Sequence, residues 1–195
     1  MKIVKIKTYS FSELNQKAKE RALDLFRESQ VEDLYWAELL IEDMCMEAEA
    51  KGIEFDHKNI NWDLYDRMVQ VRGTVDLRVY LTKKYPEAMT MDPFKRMIDL
   101  FESGDLTFRI VENEIIIDEY DMERENETDE EYESFLYTIK EISDRAYEEI
   151  LVIKEETMKS LVKEHDYLTS DESIGEFIEA NEYDFTVEGD WEVRL

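Results

Sequence analysis

Between residues 135 and 161 the apolar side chains fall at Phe135, Ile139, Ile142, Ala146, Ile150, Ile153 and Leu161. The steps are threes and fours, with one gap near Thr157, which is the period of a helix and incompatible with a strand. Thr128-Asp129-Glu130-Glu131 is a capping box at the head of this run, so the sequence predicts one helix of about 35 residues. That exceeds the usual globular length and predicts a coiled-coil-like arm or interface, a candidate surface for a homodimer.

Shorter elements surround it. Residues 2–9 alternate charge with apolar side chains and read as a strand. Ser10-Phe11-Ser12-Glu13 is a capping box opening a helix to about Arg27, with Leu14, Ala18, Ala22, Leu25 and Phe26 inward. A second helix is expected from about Glu32 to Lys51, with Leu34, Leu39, Leu40, Met44 and Ala48 inward and Gly52 as its stop. Cys45 lies beside Met44 and reads as a small core hydrophobe rather than a reactive thiol. Residues 53–65 and 68–81 alternate as two strands joined by a turn at Asp66-Arg67, the second interrupted by a bulge at Gly73. Asp92-Pro93 opens a short helix ending near Gly104. Residues 106–120 read as further strand, with Ile115-Ile116-Ile117 its most buried part. Thr169-Ser170-Asp171-Glu172 caps a last helix to Asn181, and 183–187 with 191–195 form a hairpin around Glu188-Gly189-Asp190. The expected fold class is α+β: a small antiparallel sheet with packed helices, then the long helix, then a C-terminal helix plus hairpin. A soft boundary separates an α+β body at 1–122 from an acidic helical arm at 123–195.

Charge narrows the function. The 195 residues carry 50 acids and 24 bases, a net −26. Residues 112–134 hold 12 acids and one base, and residues 164–192 hold 11 acids and no Lys or Arg, whereas 135–163 are nearly balanced at 6 to 5. Charge focused this way repels phosphates and anionic membranes and steers a basic partner. Direct DNA binding and membrane binding are therefore not expected. Aromatics are interleaved with the acids, Tyr120, Tyr132 and Phe135 in the first block and Tyr167, Phe177, Tyr183, Phe185 and Trp191 in the second, and could anchor an interface. A rigid row of carboxylates can occupy the Lys/Arg groove of a nucleic-acid-binding protein in place of its polyanion. The candidate partner-binding residues are Glu123, Glu125, Glu127, Glu130, Glu131 and Glu133 in one block and Asp171, Glu172, Glu176 and Glu179 in the other.

Other chemistries find little support. One cysteine and two histidines, His57 and His165, leave no Cys/His zinc spacing and no internal disulfide. No apolar run approaches the ~20 residues of a membrane span, and the first residues lack a signal-peptide core, so the expected compartment is a reducing one, the cytosol. There is no phosphate-binding glycine loop, no nucleophile elbow and no calcium-loop spacing among Asp56, Asp63 and Asp66. The enzyme alternative is a Mg²⁺-dependent nuclease built on Glu114, Asp118, Glu119 and Asp121, although no Lys stands near the second acid. A binding protein is favoured, with no catalytic residue assigned, no cofactor expected and the metal question open.

Both ends carry a resemblance. Tyr9-Ser10-Phe11-Ser12-Glu13-Leu14 with Ala18-Lys19, Ala22 and Tyr35-Trp36, and later Tyr167-Leu168-Thr169-Ser170-Asp171-Glu172 with Ile178-Glu179-Ala180-Asn181-Glu182-Tyr183-Asp184-Phe185-Thr186, resemble a widespread group of acidic phage and prophage proteins, sometimes labelled antitoxin-like. Some that look similar are anti-CRISPR proteins of type II systems. Where many members have Ser-Gln-Gly-Asp-Gly after the second helix, this sequence has Asp66-Arg67-Met68-Val69-Gln70-Val71-Arg72-Gly73. The resemblance implies a phage-encoded inhibitor that binds the type II RNA-guided nuclease or its guide complex. It would interfere with guide-RNA or DNA handling, by nucleic-acid mimicry or by promoting guide-RNA truncation. The alternative it implies is an antitoxin-like protein neutralising a basic toxin.

Overall fold

A computed structural model describes residues 7–112, 114–119 and 128–192. In chain order these form β1 (Tyr9–Ser10), α1 (Gln16–Glu32), α2 (Tyr35–Glu49), β2 (Ile53–Phe55), β3 (Asn61–Asp63), β4 (Met68–Val75), α3 (Leu77–Lys84), α4 (Phe94–Ser103), β5 (Leu106–Glu112), β6 (Glu114–Glu119), α5 (Asp129–Leu168), α6 (Asp171–Ala180), β7 (Asp184–Phe185) and β8 (Trp191–Glu192). The class is α+β, with small antiparallel sheets and one long helix. The chain divides into two compact units, residues 39–159 and residues 1–38 with 160–195. The soft boundary read from the sequence falls in 120–127, outside the described residues.

In the unit 39–159, the sheet runs β2-β4-β5-β6, with β3 also on β4, and every pairing is antiparallel. Alternate residues Val69, Val71 and Val75 of β4 and Leu106, Phe108 and Ile110 of β5 are buried, as a sheet with one covered face requires. β3 and β4 form the expected hairpin, Trp62 opposite Val69, with Arg67 at φ 50 in its turn. Three expectations are corrected. The strand expected over 68–81 ends at Val75, because the Asp76 carboxylate accepts the Val79 N–H at 2.9 Å and starts α3. Leu77, Tyr80 and Leu81 then bury at helical spacing. Gly73 is not a bulge: it stays in register between Phe55 and Ile110, and a Cβ there would lie 1.9 Å from the Glu54 carbonyl oxygen. The irregularity is on the neighbouring strand, where residues 56–60 loop out opposite Val71 and Arg72 alone. Ile115-Ile116-Ile117 is not the buried heart of its segment either. It lies on the edge strand β6, where Ile116 is 37% exposed, and β5 carries the core residues.

The long helix is 40 residues, about 60 Å at 1.5 Å per residue. All seven apolar positions read from its period are buried within the chain, so that stripe is core rather than a free seam. The gap at Thr157 is filled by that residue and Met158, and the buried Thr157 hydroxyl donates to the Ile153 carbonyl at 2.8 Å. The Thr128 box is present: the Thr128 N–H donates to the Glu131 carboxylate at 2.9 Å, and the Glu131 N–H donates back to the Thr128 hydroxyl at 3.3 Å.

The second unit is assembled from both ends of the chain. Leu14, Ala18, Ala22, Leu23 and Phe26 form one core with Ile174, Ile178 and Phe185. The ring of Phe26 lies 5.0 to 6.1 Å from those of Phe177, Tyr183, Phe185 and Trp191. The sheet β1-β7-β8 pairs Tyr9 with Phe185 and Phe185 with Trp191, so the terminal hairpin is present. The Ser10 box closes, with the Ser10 N–H donating to Glu13 at 2.9 Å, but it opens only a 3-10 turn over Phe11–Glu13. The helix α1 begins afresh behind Asn15, whose side chain accepts the Ala18 N–H at 3.1 Å, and runs on to Glu32. Leu25, expected inward, is half exposed and Leu23 takes its place. The strand expected over 2–9 is described only as β1; residues 1–6 lie outside the described residues.

Helix α2 contributes to both units. Ala37, Met44, Cys45 and Ala48 share its buried side, while Leu34, just before it, and Leu39 are exposed, against expectation. Burial pushes the Cys45 thiol above its ordinary pKa, so the inert reading of this cysteine stands.

Candidate functional site

The strongest surface feature is the outward side of α5. At 100° per residue, Glu130, Glu133, Tyr137, Glu141, Asp144, Glu148, Leu151 and Glu155 fall within about 40° of one line, opposite the buried stripe. All eight are exposed, Tyr137 at 66% and Leu151 at 41%. From Glu130 to Glu155 the row spans about 38 Å. Among the described residues, Glu155 alone of its acids has an ion-pair partner, Lys159 at 2.6 Å. Lys140 flanks the row, and Arg145 at its margin is turned aside, donating to the Tyr85 hydroxyl and stacking on that ring.

Segment counting missed Glu141, Asp144 and Glu148, because 135–163 is nearly neutral in sum. The helical period sorts that neutral composition, placing Glu141, Asp144, Glu148 and Glu155 on the outward line while Glu149 and Lys154 are half-buried. Burial lowers the Lys154 pKa. The signal was available: the period applied to apolar residues needed applying to charges.

The residues expected to bind a partner divide as follows. Glu123, Glu125 and Glu127 lie outside the described residues. Glu130 and Glu133 head the α5 row. Glu131 instead caps its own helix, and the Thr128 backbone N–H holds its carboxyl below the usual range. Glu172, Glu176 and Glu179, at steps of four and three, share the exposed side of α6 opposite the buried Ile174 and Ile178. Asp171 is bound by Arg27 at 2.7 Å, whose guanidinium also donates to the Thr169 carbonyl, so it positions α6. The first block belongs to the unit 39–159 and the second to the other unit. Most of the interleaved rings serve cores: Phe135 and Phe185 are buried, and Phe177 and Tyr183 pack on Phe26. Tyr167 and Trp191 keep about half their surface exposed, and Tyr120 lies outside the described residues.

The nuclease alternative meets a specific obstacle. Strand alternation puts Glu114 and Asp118 on one side of β6 and Glu119 on the other. Arg109 binds both oxygens of Asp118, one at 2.9 Å, and holds its carboxyl below the ordinary range. Among the described residues, no group of three His, Cys, Asp or Glu side chains is placed to hold a metal ion. Asp121 lies outside them. An open cavity of about 490 Å³ beside the head of α5 mixes Arg96 with Asp92 and Glu131, so it does not extend the acidic row. A second, of about 430 Å³, holds Tyr80, Lys84, Tyr85, Arg145 and Glu149, which bond to one another. Burial, and then Glu149, push the Tyr80 phenol well above its ordinary pKa, so near neutrality it is a hydrogen-bond donor and not a base.

Among the described residues no helix is long and apolar enough to cross a membrane. Compared with known proteins, the chain matches no family model, no curated protein and no solved structure.

Proposed function

We propose that this protein is a polyanion decoy: an inhibitor that binds a basic, nucleic-acid-handling protein and occupies its phosphate channel. The observation that carries the reading is the outward side of α5, where six carboxylates follow one another for about 38 Å on a helix, all but Glu155 without an ion-pair partner among the described residues. Interspersed Tyr137 and Leu151 supply the apolar contacts that a row of charge alone would lack. Along the middle of the row, Glu141, Asp144 and Glu148 make no ion pair among the described residues, and like charges at steps of three and four weaken a helix. On the resemblance at the two ends, the target in this reading is the type II RNA-guided nuclease, met in the cytosol of the host bacterium.

The test is association with that nuclease, with and without guide RNA, from about 0.05 to about 0.5 M salt. A decoy loses affinity steeply with salt and competes with guide RNA or target DNA. Charge reversal at Glu141, Asp144 and Glu148 lowers the association rate about tenfold or more. Salt-independent binding, or binding that leaves nucleic acid in its channel, contradicts the mechanism.

A further inference from the structure

The two edges of the sheet in the unit 39–159 are built differently. On one side, β2 and β3 are three residues each and separated by the 3-10 turn at His57–Asn59, the short, interrupted form that discourages further pairing. On the other side, β6 is six residues long and in unbroken register with β5 from Leu106–Glu119 to Val111–Glu114. It has no proline, no lysine and no bulge, and three consecutive isoleucines lie at its centre. Among the described residues no strand pairs with its outer side, and none of its backbone groups bonds outside the ladder with β5. Alternate N–H and C=O groups along that side point away from the sheet, a template for one more strand.

The charges on β6 decide which strand fits. Glu114 and Glu119 are exposed and have no ion-pair partner among the described residues, while Asp118 is neutralised by Arg109. A second copy of β6 laid antiparallel about its centre would set Glu114 opposite Glu119 twice over, and like charges directly opposed destabilise a pair. Shifting by one sets Glu114 opposite Asp118 instead. β6 itself carries no base, so no register of self-pairing offers Glu114 or Glu119 a countercharge.

We infer that β6 is a docking edge for an extended basic segment of a partner protein, read in the pattern basic, small polar, three β-branched residues, basic. The outer basic residues face Glu119 and Glu114, the small polar residue faces Asp118, and the β-branched residues cover Ile115, Ile116 and Ile117. This edge is distinct from the outward side of α5, and the inference stands or falls without the decoy mechanism.

The probe is the capped hexapeptide Lys-Thr-Val-Ile-Val-Lys, added to the full chain while backbone hydrogen exchange is followed across β6. The expected result is slowed exchange at alternate β6 amides. Binding weakens roughly tenfold or more when the end lysines become glutamates or the central isoleucine becomes proline. The double substitution Glu114→Lys with Glu119→Lys, at exposed positions, reverses the preference toward the glutamate peptide. Three outcomes overturn the inference: equal binding of the lysine and glutamate peptides, β6 amides already protected at every position in the free chain, or sedimentation showing two copies joined through β6.

Discussion

The Tyr80 hydroxyl donates to the Glu149 carboxylate at 3.1 Å, and Lys84 Nζ closes on the same carboxylate at 2.6 Å, tying α3 to α5. Tyr80 is 1% exposed, so losing the acceptor leaves its phenol to find a partner from a largely buried position. Tyr80→Phe keeps the ring and leaves Glu149 with Lys84, and is expected to cost about 1 kcal/mol. Glu149→Leu strands the phenol and is expected to cost about 2 kcal/mol. Urea denaturation of both variants checks the order, which is the informative part.

Two glycines make opposite predictions. Gly73→Ala places a Cβ 1.9 Å from the Glu54 carbonyl oxygen, against backbone in the middle of a sheet that has no slack. The expected loss is about 3 kcal/mol. Gly175 lies within α6, and its Cβ would meet only the Phe11 ring, at 3.6 Å, an ordinary contact. Gly175→Ala is therefore expected to stabilise by about 0.5 to 1 kcal/mol through helix propensity. Thermal melts of the pair give shifts of opposite sign.

Neutralising the α5 row tests whether it serves the fold. Glu141, Asp144 and Glu148 repel one another at steps of three and four, and none has a cation within ion-pair distance among the described residues. The triple change Glu141→Gln, Asp144→Asn, Glu148→Gln is expected to leave stability unchanged or raise it by about 0.5 kcal/mol. Chemical denaturation at low salt reads this; a marked loss would make the row structural.

Stability should pass through a maximum as pH falls. Ser10 lowers the Glu13 carboxyl, Arg109 that of Asp118 and Thr128 that of Glu131. A carboxyl whose folded pKa is depressed adds stability above its unfolded pKa, and that contribution disappears as pH falls through the folded value. Glu13 and Glu131 are exposed and Asp118 lies at the sheet surface, so the effect of each is small. Against it works self-repulsion from a net −26, which relaxes toward the isoelectric point near 4.3. The melting temperature is expected to rise from pH 7 to about 5 and to fall below about 4. Added salt flattens the upper branch and leaves the lower one, which a pH series at two ionic strengths reveals.

Local chemistry was legible where one residue controls one group. The cap at Thr128, the turn at Arg67 and the stops at Gly52 and Gly104 are where the sequence puts them, and within Thr169-Ser170-Asp171-Glu172 it is Ser170 that caps α6. Periodicity was legible for α5 because seven apolar positions over seven turns admit one phase. It failed over shorter spans. Val75, Leu77 and Val79 alternate as a strand would, yet Asp76 between them is a cap, and a single side-chain hydrogen bond outranked three residues of pattern. Leu25 and Leu39 are apolar at near-helical spacing yet exposed, each two positions, about 200° of helix, from the buried Leu23 and Ala37. Gly73 was read as a break in its own strand because sequence shows the missing side chain and not the neighbour that requires its absence. The acidic row on α5 escaped because net charge was summed along the chain, whereas a partner meets it around the helix.

One unit needs both ends of the polypeptide at once: Leu14 and Phe26 have no core until Ile174, Ile178 and Phe185 arrive. On a ribosome adding about 5–20 residues per second, α1 waits roughly eight to thirty seconds for α6 to be made. Residues 39–159 complete their sheet after a shorter wait, since β2 and β6 lie within 67 residues of one another. A nascent chain can thus carry a finished sheet and most of α5 while its first helix is still unpartnered, and a premature stop anywhere before α6 leaves Phe26 exposed as a handle for proteases.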